Sequence, residues 1–133
     1  MRVGLDTSVL LRLLTGEPEA LAALAARRVE ANLLAGDTVI VSDLVVSEAY
    51  FALQHHFGLS KAEAIGVLRE FLRQSGTVAT GSAPAVLATP NLAVAEPGLV
   101  DRLIHAEYIR VADEMLTFER SAARLPGARV LRA

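Results

Sequence analysis

Short β-rich runs alternate with longer stretches of helical spacing along this chain, and that alternation restricts its architecture more than any single residue does. The β-rich runs fall at 2–5, 38–41, 77–80, 114–117 and 129–131. Between them, apolar residues such as Leu21, Leu24, Ala25 and Val29 recur at helical intervals. The order reads β-α-α-β-α-α-β-α-α-β-α-β. Strands separated by helices predict a mostly parallel sheet covered on both faces, and right-handed crossovers restrict how its strands can be ordered. The expected fold class is α/β: a three-layer α/β/α sandwich around a central, mostly parallel sheet of about four or five strands.

Local signals agree with this order. Thr15-Gly16 stops a first helix, and Pro18 suits the first turn of the next. Ser42 can cap the helix that follows the second strand. Ser60 with Glu63 fits a capping box. Residues 84–95 predict a weak helix broken at Pro90. No repeat, low-complexity tract or linker divides the 133 residues, so a single domain over 1–133 is expected.

Two apolar stretches need separate treatment. The opening MRVGLDTSVLLRLL is interrupted by Asp6 and Arg12 and lacks a small-residue cleavage site, which argues against a signal peptide. Residues 74–95 carry no charge, but Gly76, Gly81, Pro84 and Pro90 break them up, so no membrane span is expected. The chain has no Cys, which removes disulfides, thiolate ligands and a thiol nucleophile. A cytoplasmic location suits that composition. Apolar residues make up 53% of the chain, above the usual share, and the surplus suggests surface that a partner covers. Net charge is −2, so no global basic field announces nucleic acid. Only Lys61 among the basic residues is not Arg, and Arg makes the better bidentate phosphate contact.

Four acids stand out against the apolar pattern: Asp6, Glu48, Asp101 and Glu119. Asp6 and Glu119 follow the first and fourth predicted strands. Ligands of open α/β sheets bind beyond the carboxyl ends of strands, where both acids should lie. Asp101 falls early in a predicted helix. Glu48 has Leu44, Val45, Phe51 and Ala52 as helical neighbours, so its face reads as apolar and its carboxylate as buried. Converging, the four would form an all-oxygen site suited to Mg²⁺ or Mn²⁺. The bland alternatives are helix capping for Asp6, Asp101 and Glu119. Asp43, Asp113 and Glu114 read as caps or solvated residues. His105 reads as a packing or hydrogen-bonding residue. His55 and His56 suit the negative end of their helix. No phosphate-binding or dinucleotide-binding glycine motif and no nucleophile elbow is present.

With these residues in place, the chain resembles the PIN-domain ribonucleases, and within them the VapC-type toxins of bacterial toxin–antitoxin pairs. VGLDTSVLLRLL resembles the family's opening, SDLVVSEAYFAL its glutamate-bearing segment, LVDRLIHAEY its third-acid helix, and MLTFERSAARLPGARVL its closing segment. The resemblance covers essentially the whole chain and implies a PIN-like sandwich. It implies that Asp6, Glu48 and Asp101 are the core metal-site acids. Glu119 stands where the family usually has Asp, and Ser8 where Asn is common. Thr7, Ser8 and Thr117 would support the site, and Arg12 and Arg102 are candidates to contact RNA. The implied activity is metal-dependent cleavage of single-stranded RNA, with a VapB-like antitoxin as partner; the apolar composition suits such a partner and a homodimer. The competing reading is a non-catalytic PIN-like module that binds RNA or an antitoxin, favoured by the departure at Glu119. A receiver-like phosphorylation domain is disfavoured, because the single Lys, Lys61, falls at a predicted helix start.

Overall fold

A computed structural model describes residues 1–132. Five short strands and six α-helices follow the predicted order: β1 (Arg2–Gly4), α1 (Thr7–Thr15), α2 (Glu19–Leu34), β2 (Thr38–Val41), α3 (Asp43–His55), α4 (Lys61–Gln74), β3 (Val78–Ala79), α5 (Ala83–Leu87), α6 (Leu99–Ile109), β4 (Met115–Thr117) and β5 (Ala128–Val130). Two 3-10 turns, Leu92–Val94 and Arg120–Arg124, complete the described elements. The weak helix expected over 84–95 is thus α5 followed by a 3-10 turn, with Pro90 between them.

The helix starts obey their local chemistry. Ser42 Oγ accepts the Val45 N–H at 3.2 Å and opens α3. At α4 the capping box is complete: Ser60 Oγ accepts from Glu63 N at 3.1 Å, and the Glu63 carboxylate accepts from Ser60 N at 2.9 Å. The same two Ser60 groups hold the Glu63 carboxyl below its ordinary pKa, the backbone N–H first and the hydroxyl second. Asp43, read as a cap or a solvated residue, does not cap its own helix, whose N-cap is Ser42, but serves another one. Its carboxylate accepts both Ser82 N and Ala83 N at 2.9 Å, pinning the start of α5 to the start of α3. Gly81 permits this close approach, since a Cβ there would collide with the Asp43 carboxylate.

Every strand pairing is parallel, as the alternation requires. The five strands divide into two sheets, however: β1-β2-β3 with β2 central, and β4-β5. Val3 is in register with Val39, and Val41 with Ala79, while Leu116 is in register with Arg129. The main core gathers around the first sheet. It includes Leu5, Leu10, Val39, Val41, Val46, Leu53, Leu68, Leu87, Leu99 and Leu103. Among the described residues, neither β4 nor β5 contributes to it. Helix α6 joins the two parts, with Leu99 and Leu103 buried in the core and His105 buried toward β5. The His105 ring Nε2 lies 2.6 Å from the Pro126 carbonyl oxygen. The packing and hydrogen-bonding role expected of His105 is the one it has. Among the described residues, no helix is long and apolar enough to cross a membrane.

Candidate active site

Asp6 lies two residues past β1, at the N-cap position of α1. No cap hydrogen bond forms from its side chain. Its Oδ2 instead accepts the Ser8 hydroxyl at 2.9 Å. That bond, reinforced by the backbone N–H groups of Thr7 and Ser8, holds the Asp6 carboxyl below its ordinary pKa. An exposed, firmly ionised carboxylate at a helix start is well placed to meet a cation. The neighbouring Thr7 hydroxyl donates to Glu48 Oε1 at 2.9 Å. Asp6, Thr7, Ser8 and Glu48 therefore form one connected group between the end of β1 and the second turn of α3.

The reasoning that singled out Glu48 needs correction. Its carboxylate is solvent-exposed, and so are its apolar neighbours Leu44, at 72%, and Phe51, at 58%. The buried stripe of α3 runs through Val46, Ala49, Ala52 and Leu53 instead. A second apolar face on this helix made a surface Glu read as a buried one.

Asp101 and Glu119 form a separate pair. Both line a recess with Tyr50, Lys61 and Ser121, and a second one with Ile104, Tyr108 and Leu116. The Glu119 N–H donates to Thr117 Oγ1 at 3.0 Å, so Thr117 fixes the chain just where Glu119 leaves β4. Ser121 Oγ lies 3.4 Å from Glu119 Oε1. Tyr50, Lys61 and Ser121 carried no motif that would have marked them in the sequence. The two arginines are engaged locally: Arg12 Nη1 donates to the Glu17 carbonyl at 2.7 Å, and Arg102 Nε to the Pro97 carbonyl at 2.6 Å.

The model of the PIN domain matches residues 3–128. The chain belongs to the PIN-domain family. No curated protein and no solved structure matches it. PIN domains are usually nucleases, hydrolases of the phosphodiester bond, and generally use divalent metal ions.

The side chains fit such an ion in their chemistry. Carboxylates and hydroxyls are the hard oxygen donors that Mg²⁺ and Mn²⁺ take. Their placement within one chain fits only in part. Among the described residues, no three His, Asp or Glu side chains converge closely enough to hold a metal ion. Of the four acids, Asp6 and Glu48 lie at the hydrogen-bonded turn after β1, and Asp101 and Glu119 line shared recesses.

Proposed function

We propose that this PIN domain is an Mg²⁺- or Mn²⁺-dependent endoribonuclease, the toxin of a toxin–antitoxin pair. The observation that carries the proposal is the Asp6–Ser8 and Thr7–Glu48 pair of hydrogen bonds, 2.9 Å each, at the carboxyl edge of a parallel sheet. Each of the two acids accepts a hydroxyl hydrogen bond there. A structural acid in this protein looks different: Asp43 spends its carboxylate on backbone N–H groups.

Asp6 and Glu48 are the residues that would hold the ion, with Asp101 and Glu119 completing the donor set. A bound divalent ion lowers the pKa of coordinated water and stabilises charge on a phosphate. The chain's own part is orientation. Ser8 keeps Asp6 ionised, Thr7 fixes the rotamer of Glu48, and Thr117 sets the exit of Glu119 from β4. None of these roles needs a thiol or a catalytic His. Exposed apolar residues, Leu44 and Phe51 beside Glu48 and Phe118 beside Glu119, suit an antitoxin that covers the same edge with an apolar segment.

The test is cleavage of single-stranded RNA by wild type with Mg²⁺ or Mn²⁺, with chelator, and by Asp6→Asn. Cleavage that needs the ion and falls at least a hundredfold in Asp6→Asn is expected. RNA binding without ion-dependent cleavage would favour the non-catalytic module instead.

A further inference from the structure

Asp101 and Glu119 line two recesses of unlike chemistry. One, of about 190 Å³, is walled by Ile104, Tyr108, Met115, Leu116 and Leu125 and holds no cation. The other, of about 360 Å³, is walled by Tyr50, Lys61, Glu96, Pro97 and Ser121. An anion that approaches the two acids meets a positive side chain only in the second recess. That side chain is Lys61, the single Lys of the chain.

Lys61 stands where a helix disfavours a cation. It is the first residue of α4, at the positive end of the helix macrodipole. The Ser60–Glu63 capping box fixes that end, and Glu63 uses its carboxylate on Ser60 N. Residues two apart on a helix do not face each other, so Glu63 offers Lys61 no pair. Among the described residues no ion pair forms at Lys61, although Glu96, Asp101 and Glu119 line the same recess. A Lys whose duty was to neutralise those acids would pair with one of them. A cation set against the local helix rule, with no pair to compensate, is the kind of inconsistency that marks a functional position.

The arginines expected to contact RNA are engaged elsewhere. Arg102 gives its Nε to the carbonyl of Pro97, so it braces the wall of the recess and does not line it. Arg12 gives Nη1 to the Glu17 carbonyl and lines a groove beside α2 that includes none of the four acids. An ammonium is a compact point charge on a flexible stem, and it binds phosphate without the two-point geometry that suits Arg.

We propose that Lys61 binds a phosphate of the RNA strand in the recess it shares with Asp101 and Glu119, and so places the neighbouring phosphodiester at the acids. The choice of RNA as the ligand rests on the nuclease reading; the placement of the free charge does not. A phosphate contact carries no base information, so Lys61 contributes affinity and register and leaves sequence preference unchanged.

Salt dependence tests the contact without reference to cleavage. A fluorescent single-stranded RNA is titrated with wild type, Lys61→Gln, Lys61→Arg and Arg73→Gln in chelator, from about 50 to about 200 mM KCl. Each phosphate contact on a single strand adds about 0.7 to the steepness of log K against log salt. Lys61→Gln should lose that amount. Taken as nil near about 1 M salt, the same contact is worth about eightfold in affinity at about 50 mM, and Lys61→Gln should bind that much more weakly. Lys61→Arg should keep most of both. Arg73→Gln removes a cation at the far end of the same helix, where it pairs with Glu70, and should change neither. The Tm of Lys61→Gln should not fall, because a cation leaves the positive end of α4. A wild-type slope in Lys61→Gln overturns the proposal, as does an equal loss in Arg73→Gln or a wild type that binds no RNA. Wild type that binds with the Lys61-dependent slope but shows no cleavage with Mg²⁺ or Mn²⁺ upholds the phosphate contact and refutes the nuclease reading. Wild type that cleaves, with an unchanged slope in Lys61→Gln, does the reverse.

Discussion

Asp43 and Asp6 sit at the ends of neighbouring strands, yet the structure gives them opposite duties, and that contrast can be measured. Replacing Asp43 with Ala removes two charge-assisted hydrogen bonds and leaves the Ser82 and Ala83 N–H groups at the start of α5 without partners. Bonds to a charged group are worth about 1.5–3 kcal/mol each. Water reaches this partly exposed site and recovers some of that, so a net loss of about 3 kcal/mol is expected. An unfolding entropy of about 2.1 cal/mol/K per residue makes this a fall of about 10 °C in Tm for a chain of 133 residues. Gly81→Ala should destabilise through the same contact, because its Cβ runs into the Asp43 carboxylate. The double variant should then lose less than the sum of the two single losses, since the second change removes a group already in conflict. Thermal and urea melts of the three variants supply the numbers, and RNA cleavage well below each Tm supplies the control. A Tm change under about 3 °C for Asp43→Ala, or strict additivity in the double variant, would falsify the pinning role. Loss of cleavage in folded Asp43→Ala would instead move Asp43 into the functional set.

Two further outcomes follow from the hydrogen bonds at the site and at the N-terminus. Thr7→Val removes the donor to Glu48 at nearly constant volume; RNA cleavage should fall about 10–100-fold with a stability change of about 1 kcal/mol, and Thr7→Ser should restore most of the activity. Unchanged cleavage in Thr7→Val would show that Glu48 needs no such support. Asp37 accepts from the N-terminal amine at 2.7 Å and from Asn32 at 2.9 Å, and these, the amine foremost, hold its pKa below the ordinary value. A depressed folded pKa stabilises at pH values above the unfolded one and loses that contribution as pH falls through the folded value. Asp37→Asn should therefore be less stable than wild type in urea melts at pH 7, and the difference should shrink as pH falls below the ordinary Asp range and through the lowered folded pKa; a difference that does not shrink with acid would contradict the linkage.

How much of this was legible in the residues differs from one element to the next. The order of elements could be read because each boundary has a local cause: Ser42 and Ser60 cap, Gly16 and Pro18 punctuate, and Pro90 interrupts. Those interactions span a few residues, so a linear pattern contains them. The position of Asp6 was legible for the same reason, since it directly follows a short apolar strand. Glu48 was selected by a false premise. Periodicity shows that a face is apolar but not what lies against it, and α3 has two such faces, one in the core and one in solvent. Tyr50, Lys61 and Ser121 reach the recess of Asp101 and Glu119 only through tertiary packing, which no spacing rule encodes.

The division of five parallel strands into three and two has the same origin. The apolar run of β4 predicts a buried strand, and it does not say what covers it. Residues 116 and 118 satisfy the pattern of a buried strand and are nonetheless in solvent. For a lone chain this is a conflict between local pattern and observed packing, of the kind that marks a surface awaiting a partner. Phe118 directly precedes Glu119, as Leu44 and Phe51 flank Glu48 on α3, so the exposed apolar surface and the candidate acids share the same stretches of chain.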